Sequence, residues 1–161
     1  MLYRLFSIRK QPLAVDIILL LTRLAIGYAF LLIGWGKIQH PTSWMQGITF
    51  APFWQVLAAV AEFGGGLALL LGLLTRLGAL GIGIVMTVAI AVHILSFGHP
   101  YVNLTGGPSY QVAAAYLLIA LLLLVLGPGR FSMDYLLFNR TELKRKQASY
   151  RNEETAILGG A

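Results

Sequence analysis

The sequence predicts an all-α protein in the form of a four-helix transmembrane bundle, and three observations support this fold class. Hydrophobic residues make up 58% of the 161 residues and charged residues only 11%, against roughly 25% charged residues in soluble domains. The hydrophobic residues are concentrated in four segments, each close to the ~20 residues that cross a ~30 Å hydrocarbon core. Since the two-residue alternation of membrane-barrel strands is absent, the backbone must satisfy its hydrogen bonds within helices.

The chain divides into three parts. Residues 1–12 are expected to form a short basic amphipathic segment at the membrane interface. Residues 13–138 are expected to form the transmembrane domain, and residues 139–161 a charged cytoplasmic tail without a site. A short interfacial helix, begun by Ser132 or Asp134, is expected after the fourth span. The four spans are predicted at about residues 13–36, 53–74, 77–97 and 110–126.

The distribution of Lys and Arg predicts that both termini lie in the cytoplasm. With four spans, the basic N-terminal segment, Arg76 and the C-terminal cations fall on one side, whereas Lys37 alone falls on the other. Basic loops are retained on the cytoplasmic side of the membrane. The two longer links, after the first and third spans, then face outward. The net charge of +6 therefore suits an anionic lipid surface, and no nucleic-acid partner is expected.

Arg23 and Glu62 are the charged residues predicted to lie deepest in the membrane. At 1.5 Å per residue, Arg23 lies about 15 Å from the inner end of the first span and Glu62 about 14 Å from the outer end of the second. These depths nearly coincide in a ~30 Å core, so we expect an intramembrane Arg23–Glu62 ion pair. Two interpretations are open: a structural bridge that locks the bundle, or the wall of a polar pocket.

Small residues predict close helix packing in the first two spans. Gly64, Ala68 and Gly72 form a small-xxx-small row in the second span. In the first span, five residues recur at spacings of four, three, four and three and so share one helical face: Arg23, Gly27, Phe30, Gly34 and Lys37.

Two further residues lie nearer the outer mouth of the bundle. Lys37 closes the first span, where it either extends to the interface or binds a ligand. His93 lies near the outer end of the third span. It is interpreted either as a hydrogen-bonded structural residue or, with Glu62, as a proton relay.

Several classes of chemistry have no support in the sequence. There is no cysteine, so the chain holds no disulfide, thiol relay or Cys-ligated metal. His40, His93 and His99 could in principle meet in a metal site, but their spacing is not that of metal ligands, and no metal is expected. Nucleotide-binding loops, Ser/His/Asp arrangements and haem-attachment motifs are also absent.

Three motifs occur in order between residues 19 and 137. They are Arg23-x3-Gly27-x2-Phe30-x3-Gly34-x2-Lys37, Glu62-x2-Gly65-Gly66-Leu-x-Leu-x2-Gly72-Leu-Leu-Thr75-Arg76, and Gly127-Pro-Gly-Arg-Phe-Ser-x-Asp134. Their order and spacing closely resemble those of the DoxX family (DoxX/DoxD-like membrane proteins). His93 also matches a His often found in the third helix of these proteins. The outer link at residues 42–53 matches no motif.

The resemblance implies a four-helix protein of the bacterial or archaeal cytoplasmic membrane that is associated with quinone redox chemistry. On this basis the candidate ligand-binding residues are Arg23, Lys37, Glu62 and His93, with Glu62 and His93 as candidates for catalysis. The expected ligand is a quinone, and no covalently bound cofactor is expected. Because the chain contains no evident redox centre, electrons would come from a protein partner.

Two other functions are compatible with the same residues. The first is a non-catalytic structural or assembly subunit of a larger membrane complex of the respiratory type, in which the buried charges only lock the helices. The second is a transporter of a small anion or weak acid. The lack of an inverted repeat and of broken helices counts against transport.

Overall fold

The computed structural model describes residues 11–45 and 51–137, and this part of the chain is helical without any β-strand. The all-α class is therefore confirmed. Most of the predicted amphipathic segment and the whole predicted tail lie outside the described residues. The helices are α1 (Leu13–Ile38), α2 (Pro52–Leu71), α3 (Thr75–Leu95) and α4 (Gln111–Leu126).

Three of these helices are long and apolar enough to cross a membrane. α1, α2 and α3 have 26, 20 and 21 residues, whereas α4 is a shorter apolar helix of 16 residues. At 1.5 Å per residue α1 is about 39 Å long and α4 about 24 Å. Large apolar side chains are exposed on all four helices, as expected for surfaces that face lipid.

The short turn between α2 and α3 explains where the second helix ends. α2 stops at Leu71, three residues before the predicted boundary, because Gly72 adopts a left-handed conformation with φ 65°. The N–H of Leu73 then bonds to the carbonyl of Ala68 at 3.0 Å, which closes the helix end. Leu74 is also left-handed, with φ 51°, so α3 begins at once and runs antiparallel to α2.

α1 and α2 pack with their backbones in contact at glycines. A Cβ added at Gly66 would lie 2.6 Å from the backbone nitrogen of Leu31, and one added at Gly34 would collide with the backbone of Phe63. The predicted row of small residues is wrong in one place, since a Cβ at Gly64 would meet nothing within 4 Å.

Helices that follow one another in sequence pack against each other, and the core draws on all four. Phe30 of α1 meets Tyr116 of α4 with ring centroids 5.0 Å apart in an edge-to-face arrangement. The fully buried core side chains include Leu19, Phe30, Leu69, Ile82 and Leu123. The end of the helices that carries the α2–α3 turn is called the turn end below. The opposite end, which carries the two longer links, is called the link end.

Residues 127–137, called the closing segment below, fold back over the turn end. Gly127, with φ 81°, ends α4, and residues 133–137 form a short helix. Ser132 caps that helix, because its Oγ accepts the N–H of Tyr135 at 3.0 Å. The closing segment thereby contacts α1 and the α2–α3 turn, which are distant in sequence.

Candidate functional site

The register of α1 against α2 separates the two deepest charges. With Gly34 against Phe63, Glu62 in the middle of α2 is level with Trp35 in the last turn of α1. Arg23 lies about twelve residues further toward the turn end, or about 18 Å along the axis. The predicted Arg23–Glu62 pair is therefore wrong. The two predicted depths coincided because each was counted from an assumed membrane boundary, whereas α1 extends well past the end of α2 at the turn end.

Arg23 instead holds the closing segment. The residue is 1% exposed, and its Nη2 donates to the carbonyl of Phe131 at 2.6 Å. Its Nε and Nη1 have no hydrogen-bond partner among the described residues. Asp134 is the carboxylate that acts on it electrostatically. Arg23 is thus bonded to the closing segment, whereas Glu62 is bonded to Lys37.

Asp134 closes the α2–α3 turn. Its carboxylate accepts the N–H of Leu74 at 2.7 Å and that of Thr75 at 3.0 Å, and its own N–H donates to the carbonyl of Gly72 at 2.9 Å. These bonds satisfy donors at the start of α3 and stabilise the left-handed Leu74. Asp134 is therefore a helix cap supplied from a distant part of the chain.

Asp16 provides the third attachment at the turn end. Its Oδ1 accepts the backbone N–H of Arg130 at 3.1 Å, and Arg130 Nε lies 3.1 Å from Oδ2. Asp16 is 1% exposed. The sequence offered a signal for this pair, an acid in the first turn of α1 and a cation in the Gly-Pro-Gly-Arg motif, but no way to pair them.

The last turn of α1 holds a second ion pair, which was not predicted from the sequence. Lys37 Nζ lies 2.7 Å from Oε1 and 2.6 Å from Oε2 of Glu62. The Glu62 side chain is 1% exposed and that of Lys37 21%. Lys37 Nζ also lies 4.1 Å from the ring centroid of Trp44, a cation–π contact. Lys37 therefore does more than extend toward the interface, since its ammonium group is held between a carboxylate and an indole.

The link after α1 covers this ion pair. Trp44 Nε1 donates to the backbone carbonyl of Gln55 at 3.0 Å, and the N–H of Met45 donates to Gln55 Oε1 at 3.3 Å. Both bonds attach the link to the first turn of α2. Trp44 is thereby positioned over Lys37.

A cavity of about 580 Å³ opens beside the Lys37–Glu62 pair. Its walls come from α2, α3 and the link-end part of α1 with its link, and most of them are aliphatic. Lys37, Glu62 and His93 are its charged or titratable lining residues. Three of the four predicted site residues therefore line one cavity, whereas Arg23 does not.

His93 reaches the cavity together with a partner that the sequence analysis did not assign to the site. His93 Nδ1 lies 2.9 Å from His99 Nδ1. The chain turns back after α3, with the N–H of His99 donating to the carbonyl of His93 at 2.9 Å. Phe97 stacks on the His99 ring, with centroids 5.1 Å apart. Within the described residues, no three His, Cys, Asp or Glu residues are grouped to hold a metal ion.

Comparison with known proteins identifies the family. The family model described as DoxX matches residues 18–94, a range that includes Lys37, Glu62 and His93. The inner membrane protein YqjF of Escherichia coli (strain K12) is 32% identical over 126 residues, which cover 76% of this chain and 93% of that protein. No solved structure matches.

This chain belongs to the DoxX family. Together with its three helices of spanning length, the similarity to an inner membrane protein indicates an integral protein of the cytoplasmic membrane.

Proposed function

We propose that this DoxX protein is a four-helix transmembrane bundle that binds a quinone in the link-end cavity and serves as a membrane subunit of a quinone-linked redox system. The observation that carries the proposal is the placement of Lys37, Glu62 and His93 on one apolar cavity. With both termini in the cytoplasm, this cavity lies in the outer half of the membrane.

The residues present fit such a ligand. A volume of about 580 Å³ falls within the ~300–1,000 Å³ of small-molecule sites, which are apolar with a few convergent polar groups. Aliphatic side chains such as Leu57, Ile84 and Val88 suit a prenyl chain. Trp54, also in the wall, offers an indole against which a flat ring can pack.

The polar lining residues suit the oxygens of the ring. A bound quinone supplies two-electron, two-proton redox chemistry. Lys37 Nζ carries three N–H donors, so it can donate to a ligand oxygen while it remains bound to Glu62. Glu62 and His93 can each hold or release a proton at the cavity. Electrons come from a partner protein in this proposal.

A second candidate is a non-catalytic structural or assembly subunit of a larger membrane complex. In such a subunit the buried charged residues would only stabilise the fold, as Asp16, Arg23 and Asp134 do by their contacts at the turn end. In that case the Lys37–Glu62 pair likewise only fastens α1 to α2.

Quinone binding is tested directly with the purified protein in mild detergent. Extracted lipids are analysed for quinone per chain, and a short-chain quinone is titrated while tryptophan fluorescence is followed, since Trp44 and Trp54 line the cavity. We expect saturable quenching that weakens about tenfold in Glu62→Gln, which corresponds to ~1.4 kcal/mol.

The control for this titration is Leu121→Ala, which changes an exposed side chain on α4 away from the cavity, and it should bind like the wild type. Absence of saturable quenching in a folded sample would contradict the proposal. Unchanged quinone content in Glu62→Gln, together with loss of a co-purifying protein, would favour the assembly role.

A further inference from the structure

We propose that His99 and His93 form a two-imidazole relay that passes protons between water at the link end and the cavity. The proposal rests on the proposed function for the ligand that receives the proton, but the relay itself can be tested without any ligand. His99 is not assigned by the family motifs, and it lies outside the helices.

The two histidines connect the cavity with the link that follows α3. His93 lines the cavity, whereas His99 follows the end of α3 and is not part of the cavity wall. The 2.9 Å between their Nδ1 atoms is a hydrogen-bond distance for nitrogens. One ring must therefore donate its Nδ1 proton and the other accept it. The two rings therefore share a single proton between the cavity wall and the link after α3.

The rings are held in this arrangement. The backbone bond from His99 N to His93 O, at 2.9 Å, fixes the chain between them. The Phe97 ring, which also lines the cavity, is inclined by only 10° to the His99 ring. This stacked arrangement favours the ring orientation in which His99 Nδ1 faces His93.

The proton step balances within the pair. When His99 donates from Nδ1, its Nε2 carries a lone pair and the Nε2 of neutral His93 carries a proton. A proton from water binds His99 Nε2, the shared proton moves from His99 Nδ1 to His93 Nδ1, and His93 Nε2 releases its proton to the cavity. One proton enters and one leaves, and the reverse movement restores the starting tautomers.

Few other titratable groups compete at this end of the molecule. Lys37 from α1 and Glu62 from α2 face the same cavity, but they are bound to each other. α4 and the link before it contain no Asp, Glu, Lys or Arg. Tyr101 and Tyr110 of that link contact one another edge to face. Histidine is also the side chain that exchanges protons most readily near neutral pH.

The hydrogen bond itself is tested in the unmodified protein. Histidine is labelled with 15N, and the wild type in detergent micelles is examined by NMR for scalar coupling between the two Nδ1 nuclei. We expect that coupling, because the two Nδ1 atoms lie at hydrogen-bond distance. Its absence at low temperature, or a co-purified metal ion bound by both rings, would overturn the relay.

The relay is tested by the exchange of the His93 imidazole proton with water. In His99→Gln we expect this exchange to slow by about tenfold or more, because the proton donor is lost. His40→Gln is the matched control, since His40 lies in the other link and outside the cavity wall, and exchange should stay at the wild-type rate. A purely structural His99 would shield His93, so unchanged or faster exchange would overturn the proposal.

Quinone titrations distinguish this proposal from the previous one. If tryptophan quenching shows no binding but His93 exchange depends on His99, quinone binding fails and the relay stands. If quenching is saturable but exchange is independent of His99, the relay fails and quinone binding stands.

Discussion

Glu62 holds the ammonium group of Lys37 between its two carboxylate oxygens, at 2.7 Å and 2.6 Å. The contact joins the last turn of α1 to the middle of α2 at the edge of the cavity. Because Glu62 is almost fully buried and Lys37 partly exposed, the carboxylate depends on the ammonium group for its charge balance. The pair is therefore both a fastening between helices and the polar wall of the candidate site.

Breaking this pair should destabilise the protein. Glu62→Gln keeps the shape but removes the charge, and Lys37→Met removes the ammonium group and strands a buried carboxylate. We expect Lys37→Met to cost about 3 kcal/mol and Glu62→Gln less, since Lys37 can turn to water. Thermal unfolding in detergent of both single variants and the double variant measures the coupling. A double variant whose loss equals the sum of the single losses would contradict direct pairing.

Gly34 should not tolerate even a methyl group. Its added Cβ would collide with the backbone of Phe63, so Gly34→Ala must push α1 and α2 apart at a cost of about 1–3 kcal/mol. Gly36→Ala is the matched control in the same helix, because nothing lies within 4 Å of its added Cβ. We expect it to be neutral, or stabilising by about 0.5 kcal/mol. Equal melting temperatures for the two variants would argue against the helix contact described above.

Arg23 should stabilise the closing segment and should not contribute to quinone binding in the cavity. In Arg23→Met the bond to the Phe131 carbonyl is lost, so hydrogen–deuterium exchange in residues 127–137 should accelerate, by about tenfold or more for a loss near 1.5–3 kcal/mol. Quinone-dependent tryptophan quenching should remain within about twofold of the wild type, a change below ~0.5 kcal/mol. Loss of quenching with normal exchange in the closing segment would instead place Arg23 in the ligand site.

Asp134 should behave as a helix cap. Asp134→Ala removes both acceptors for the N–H groups of Leu74 and Thr75, and we expect a loss of about 1–2 kcal/mol. Asp134→Asn retains one acceptor oxygen and should lose less. Leu74→Gly in the Asp134→Ala background should recover part of the loss, since glycine adopts the left-handed conformation without a steric penalty. A melting temperature of Asp134→Asn below that of Asp134→Ala would contradict the capping role.

The helices could be predicted from the sequence because a span is a local property. Long apolar runs located α1, α2, α3 and α4, with ends that differ from the structure by only a few residues. The largest differences arise where backbone conformation intervenes, as at Gly72, whose positive φ ends α2 early. Apolar composition carries no information about that dihedral angle.

The partners of the buried charges could not be predicted in the same way. All sides of these helices are rich in apolar residues, so periodicity does not identify which residue of α1 faces which residue of α2. That register depends on backbone contact at glycines such as Gly34 and Gly66. The pairing of His99 with His93 could not be predicted either, because their contact depends on how the chain turns after α3.

By itself, the sequence determined the all-helical class and the apolar helices, and its resemblance to a family singled out Lys37, Glu62 and His93 as candidates. Hydrophobic length is sufficient for the helical class and the helices. The tertiary structure alone decided that Lys37, Glu62 and His93 line one cavity, that Glu62 meets Lys37 and that Arg23 meets the closing segment. Those contacts join residues 25 and 108 positions apart in the chain. The first contact follows from the register of α1 against α2, and the second from the folding of the closing segment over the turn end. Both depend on the packing of whole elements.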